Sequence, residues 1–185
     1  TLTGADSKIR AGEYDVPAGT TPRTLLALLE SGVVVQHSVT IVEGWTFRDL
    51  RRALEREPAL ENKLAGQDDA AVMRALGEPG LRPEGQFFPD TYLFGKGATD
   101  LDILEQARER MKRELARAWD ARDKDLPLDD PYQALVLASI VEKETALPAE
   151  RARIAGVFTE RLRTGMRLQT DPTVIYGLGP GFDGN

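Results

Sequence analysis

Glu142 and Glu144 close a run, Ala134 to Val141, that is apolar almost all round for two helical turns. A carboxylic acid held against apolar surface is the group with which an enzyme can donate a proton near neutral pH. Ahead of the run, Asp130-Pro131-Tyr132-Gln133 reads as a helix start, with Asp as N-cap, Pro at the first position and Gln at the third, a variant of the capping box. The helix predicted from there through Thr145 is buried in the centre of its domain. Its geometry separates the two acids. Three, four and seven positions before Glu144 stand Val141, Ile140 and Leu137, whereas Ser139, Ala138 and Leu135 stand there before Glu142. Glu144 therefore projects from the more apolar face, where loss of water disfavours the charged form and raises the pKa of a carboxyl. The plainer alternative is that both glutamates fray into solvent at a helix C-terminus. Pattern alone leans slightly that way. Against it stands the double cost of a negative charge on an apolar face beside the negative end of a helix, a placement that persists for a reason.

Two other stretches carry polar groups suited to holding a ligand. Gln169, Asp171 and Thr173 offer hydrogen-bonding groups at alternate positions, and Tyr176 behind them can stack on a sugar ring. Spacing alone favours a turn stabilised by Asp171-Pro172, with Tyr176 in the core. The segment from Glu84 to Tyr92 gathers Phe87, Phe88, Tyr92, Glu84 and Asp90 into one predicted loop. Aromatic rings and carboxylates together suit a carbohydrate groove, because sugars present apolar faces rimmed by hydroxyls. A loop pinned by Phe87 and Phe88 against the core is the other reading, and both can hold at once. His37 lies in a strand pattern away from these groups and reads as structural.

The elements that position these groups come from 185 residues, 41% of them hydrophobic, enough for one or two small domains. With 24 Lys and Arg against 30 Asp and Glu, the net charge of −6 gives no electrostatic footprint for a nucleic acid. No cysteine and a single histidine exclude thiol chemistry and leave almost no room for a catalytic transition metal; neither metal nor cofactor is expected. No run approaches the roughly 18 apolar residues of a membrane span. The chain begins at Thr1 and is read as part of a longer protein. Residues 9–16 read as a short strand, Thr21-Pro22 as a helix start ending near Gly32, residues 33–42 as a second strand, Thr46 as the cap of a helix reaching Pro58, and residues 69–76 as a short helix. These form an α+β unit over 1–76. The Pro- and Gly-rich segment 77–97 reads as mostly irregular and as the boundary to a mainly helical domain over 77–185. There, one long amphipathic helix runs from Asp100 to about Ala121, and a second from Ala149 to Thr164 completes a hairpin with the acid-bearing one.

The run Ala138-Ser139-Ile140-Val141-Glu142-Lys143-Glu144-Thr145, followed by Glu150-Arg151, Val157-Phe158, Arg161-Leu162, Gly165-Met166 and Leu168 to Gly177, resembles the YceG-like family of endolytic murein transglycosylases. Glu84-Gly85 and Phe88-Pro89-Asp90-Thr91-Tyr92 resemble the family's other signature, in the expected order. The resemblance implies a bacterial protein of the inner membrane, held by one N-terminal helix, with this region facing the periplasm. It also implies a LysM-like glycan-binding unit over 1–76. Peptidoglycan glycan strands are the implied substrate and cell-wall synthesis enzymes are possible partners. The implied reaction cleaves MurNAc-GlcNAc bonds to 1,6-anhydroMurNAc ends, with Glu144 as acid and then base, since such enzymes generally carry a helix-end Glu followed by Ser or Thr, here Thr145. Glu84, Asp90, Tyr92, Thr145, Gln169, Asp171 and Tyr176 are the expected substrate-contacting residues. The competing readings are a peptidoglycan-binding or partner-docking module without catalysis, and a two-carboxylate hydrolase with Glu142 or Glu84 as the second acid. In family members the chain continues beyond the Tyr176-Gly177 signature, so part of the cleft is expected to lie outside this sequence.

Overall fold

The computed structural model describes residue 9 and residues 12–179. Capping residues set most boundaries. Thr21 accepts the Thr24 N–H at 3.3 Å and Pro22 opens α1, Pro22–Ser31. Thr46 and Asp49 form a full capping box at the head of α2, Phe47–Arg56, and Asp68 caps α3, Asp69–Ala75. A second capping box, Thr99 with Asp102, starts the long α4, Asp100–Asp120. Asp130 accepts the Gln133 N–H at 2.9 Å and opens α5, Pro131–Glu144. The Gln133 side chain reaches past the cap to accept the Asp129 N–H at 2.9 Å. Then follow α6, Pro148–Arg163, and α7, Asp171–Leu178. Strand β1, His37–Thr40, pairs antiparallel with β2, Thr91–Phe94, with His37 opposite Phe94 and Thr40 opposite Thr91. The class is α+β, mostly helical with one two-stranded sheet.

Three expectations are corrected. Residues 12–16 form no strand, and the Val35 N–H bonds the Glu13 carbonyl at 2.7 Å as an isolated contact; residues 10 and 11 lie outside the described residues. The segment 77–97 is irregular except for β2, whose Tyr92 and Phe94 alternate inward between turns. Asp171-Pro172 opens a helix instead of a turn, because Pro is tolerated in the first helical turn, where its missing N–H would have no partner.

One hydrophobic cluster runs from Val39 to Ala107. It joins Val39 and Ile41 to Phe47, Leu50 and Leu54 of α2, Val72 and Met73 of α3, Phe87, Tyr92 and Phe94, and Ile103, Leu104 and Ala107 of α4. Packing is thus continuous through residue 77, and the expected boundary at 76/77 falls inside a single core. A smaller cluster of Ile140, Val141 and Phe158 joins α5 to α6. Of α5, only Ile140 and Val141 are buried, so the helix is not the enclosed central element predicted. The few helices beside it, α4, α6 and α7, do not surround it.

Two glycines join the larger core to α5. Gly44, at φ 73°, would place a Cβ 3.3 Å from Lys143 Nζ, and Gly85, at φ 77°, would place one 3.2 Å from Leu135 Cδ2. Inside the larger core, buried Asp100 holds the loop between α2 and α3: its carboxylate accepts the Lys63 N–H at 2.9 Å and the Leu64 N–H at 3.0 Å. Asp100→Ala leaves both amides without that partner and is expected to cost about 2–3 kcal/mol in urea unfolding; a loss below about 0.5 kcal/mol would show that water replaces the carboxylate.

Candidate active site

Glu144 is the last residue of α5. The Thr170 hydroxyl donates to its Oε2 at 2.6 Å. Thr170 is only 4% exposed and stands at the N-cap of α7, yet it makes no side-chain cap bond to that helix. A hydroxyl in that position ordinarily accepts an N–H of its own helix; here it is turned to the carboxylate instead. Oε1 has no partner among the described residues. Glu144 itself is exposed, so the burial predicted from its apolar helical face is absent: the face that carries it is covered by α6 and α7 only in part.

The neighbouring residues fix the helix end. Thr145 is buried; its hydroxyl donates to Glu150 Oε2 at 2.8 Å and accepts the Leu147 N–H at 3.0 Å, joining the end of α5 to the start of α6. Glu142 pairs with Arg151 at 2.8 Å. That pairing gives Glu142 a different partner from Glu144, which accepts from Thr170. Arg161 donates to the Leu168 carbonyl and lies 6.0 Å from the Phe158 ring centre, which holds the segment before Gln169. Gln169 adopts φ 49°, a left-handed conformation that a non-glycine residue rarely takes and that collects at functional sites.

Glu144, Glu150, Arg161 and Gln169 border a cleft of about 390 Å³. Ile154, Val157 and Phe158 form its apolar floor, and Glu144, Gln169 and Arg153 stand on its rim. Val157 is 47% exposed, an aliphatic surface open to a ligand. An apolar floor with a few convergent polar groups is the usual composition of a small-ligand site, and for a sugar it matches one ring face and its hydroxyls.

The remaining expected residues divide. Tyr176 is 66% exposed on α7 and not in the core, which corrects the packing expected from spacing. Enclosure of its hydroxyl, and next the negative charge of Glu84, push its pKa up. Glu84 is therefore near enough to be felt by Tyr176. Burial pushes the Glu84 carboxyl up, against the pull of the Phe47 N–H that it accepts at 3.1 Å. Glu84 also borders a second cleft of about 320 Å³ with Arg48, Arg51 and Arg52. Asp171 is exposed in the first turn of α7. Asp90 and Tyr92 serve the larger core: Asp90 pairs with Arg110 and accepts the Thr91 N–H at 2.6 Å, and Tyr92, 5% exposed, donates to the Phe88 carbonyl at 2.7 Å. Burial holds the Tyr92 phenol up at about 12. Tyr92 presents no open surface to a sugar, whereas the Asp90 side chain is one-third exposed. His37 stacks on Phe94 at 5.8 Å in β1, as a structural residue does.

Thr170, Glu150 and Arg153 were not singled out by the sequence. The sequence marks Thr170 only as a residue at a helix start, ahead of Asp171-Pro172; its contact with Glu144 has no local signal.

The YceG-like family model matches residues 1–185. The chain is 28% identical over 190 residues to the endolytic murein transglycosylase of Bacillus subtilis, covering 94% of this chain and 52% of that protein. It is 27% identical over 203 residues to the endolytic murein transglycosylase of Streptococcus pneumoniae, covering 92% of this chain and 36% of that protein. A crystal structure of a YceG-like protein from Listeria monocytogenes superposes with a TM-score of 0.58 at 26% identity, covering 97% of this chain and 65% of that one. The chain thus spans about half or less of the curated relatives it matches.

Thr145→Ala removes the bridge between α5 and α6 and is expected to lower stability by about 1–2 kcal/mol in thermal or urea unfolding. Thr145→Ser keeps the hydroxyl and should restore most of that loss; equal destabilisation by both would assign the effect to the lost methyl.

Proposed function

Because this chain belongs to the YceG-like family, we propose that it forms the cleaving part of a peptidoglycan lytic transglycosylase in which Glu144 is the single acid and base. The observation that carries this reading is the Thr170 hydroxyl, which holds Glu144 Oε2 at 2.6 Å on the rim of a cleft with an apolar floor. A carboxyl fixed through one oxygen presents the other in a defined direction. Protonated at Oε1, Glu144 donates to the glycosidic oxygen as the C1–O bond breaks and positive charge develops on the muramyl ring. As carboxylate it then takes the proton from the C6 hydroxyl of that ring, whose oxygen bonds to C1 and closes the 1,6-anhydro bridge. No water enters the balance. The nucleophile is tethered to the electrophile, so orientation on Ile154, Val157 and Phe158 does what a second carboxylate does in an ordinary glycosidase. Gln169, whose amide has no partner among the described residues, and Tyr176 position the strand, with Glu84 and Asp171 as lesser contacts.

The hydrolase reading needs Glu142 or Glu84 to activate water. Glu142 is bound to Arg151 and Glu84 holds the head of α2 through the Phe47 N–H, which disfavours both. On the proposed reading the N-terminal part contributes a LysM-like surface for glycan, and the whole protein sits in the inner membrane with this region in the periplasm.

Mass spectrometry of peptidoglycan incubated with the protein and with Glu144→Gln tests the mechanism. Products one water lighter than hydrolytic ones are expected, lost with the variant by at least about 100-fold in rate; reducing ends would establish hydrolysis, and cleavage surviving in the variant would remove Glu144 from the chemistry. Gln169→Ala is expected to slow cleavage while changing unfolding by less than about 0.5 kcal/mol, since the side chain is exposed. An unfolded Gln169→Ala would make that residue structural.

A further inference from the structure

The charged groups around the cleft differ in what they already hold. Arg161 is bound to the Leu168 carbonyl, Glu150 accepts the Thr145 hydroxyl, and Glu144 accepts Thr170 through one oxygen. Arg153 makes no hydrogen bond, ion pair or ring contact with any described residue, although it borders the cleft from an exposed position on α6. Of the four charged residues that line the cleft, Glu144, Glu150 and Arg161 each hold a hydrogen bond to the protein, and Arg153 is the one that holds none among the described residues. An exposed guanidinium beside Ile154, Val157 and Phe158 leaves its donors available to a ligand in the cleft.

We propose that Arg153 is a specificity-determining residue that takes a carboxylate carried on the side arm of the sugar seated on Ile154, Val157 and Phe158. The inference rests on the reading that the cleft binds peptidoglycan, whose muramyl units differ from their neighbours by an acid-derived arm at C3. A planar guanidinium engages a carboxylate through two parallel N–H donors, which fixes direction as well as supplying charge. In a chain of net charge −6, such a cation is also the element that keeps an anionic ligand from being repelled at the cleft. It distinguishes muramyl from plain N-acetylglucosamine rings, and so sets which ring lies beside Glu144. The carboxylate has two sources, the free acids of an attached peptide or the lactyl acid exposed when the peptide is removed.

Binding is measured by calorimetry in the Glu144→Gln background, with three ligands of equal length: short glycan strands bearing acidic peptides, the same strands stripped by an amidase, and neutral N-acetylglucosamine oligomers. Replacing Arg153 by Gln is expected to weaken binding of peptide-bearing strands roughly 5- to 10-fold and to change the neutral oligomers less than about twofold. Arg153→Lys, which keeps the charge without the fork, should recover part of the loss. Loss on peptide-bearing strands, whose lactyl acid is tied up as an amide, assigns the acids of the peptide; loss confined to stripped strands assigns the freed lactyl carboxylate; loss on both assigns each in its own ligand, and all three uphold the proposal. Equal weakening on all three ligands, no weakening on any, or no binding at all overturns it. Cleavage by the unmodified protein reports separately on the enzymatic reading. Cleavage without Arg153-dependent selectivity defeats this inference alone, and selectivity without cleavage defeats the enzymatic reading alone.

Discussion

A carboxylate at the last position of a helix faces the negative end of the helix dipole, and the arrangement around Glu144 answers that constraint. The helix cannot stabilise the acid, so the contacts come from elsewhere in the chain. Thr170 reaches it from the head of α7, at the cost of leaving its own helix without a side-chain cap. Thr145 ends α5 and ties the turn to Glu150 and Leu147. Arg151 neutralises Glu142, which would otherwise add a second negative charge two residues away. Two of these contacts join the end of α5 to α6 and one joins it to the head of α7, so the position of one carboxyl depends on α6 and α7 being in place.

The larger core supplies what this small helical layer lacks. Among the described residues, the cluster around α5 contains three buried hydrophobic side chains, while the cluster from Val39 to Ala107 contains sixteen. Burial at roughly 25 cal/mol per Å² of apolar surface makes the cluster from Val39 to Ala107 the main source of stability, and regions with few buried contacts open most readily. Gly44 and Gly85 bring loops of the large core against the two ends of α5, where any side chain would press on Lys143 or Leu135. The backbone of the larger core thus lies against α5, the helix that carries Glu144.

Local signals were legible in the sequence, and distant ones were not. Thr21, Thr46 and Asp130 mark helix starts because a cap is an interaction over three residues. The preference for Glu144 over Glu142 came from helical spacing and from the following Thr145, and the two acids do differ in surroundings. What spacing could not give is how much of a face is covered. Glu144 and Tyr176 were assigned to buried surfaces, and both are exposed because too few elements pack over α5 and α7. Tyr92 and Asp90 have the residue types of a sugar groove, but strand pairing turned Tyr92 into the core and an arginine on α4 claimed Asp90. The Thr170 contact spans 26 positions and leaves no local trace.

The exposure of Glu144 bears on which reaction the cleft favours. An acid open to water in the free protein leaves its desolvation to the ligand: a ring laid on Ile154, Val157 and Phe158 covers the side of the carboxyl that faces the cleft, while Thr170 keeps hold of the other oxygen. On the proposed reading, that displacement of water has a second effect. Water and the C6 hydroxyl compete for the same C1 centre, so a ring that excludes water from its own reacting face gives the tethered hydroxyl the advantage. A hydrolase must instead keep a water and a base on the opposite face, and the nearest carboxylate by sequence, Glu142, is fastened to Arg151. On that reading, the ion pair that holds Glu142 and the apolar lining proposed to seat the sugar act in one direction, toward a reaction that one carboxyl can complete.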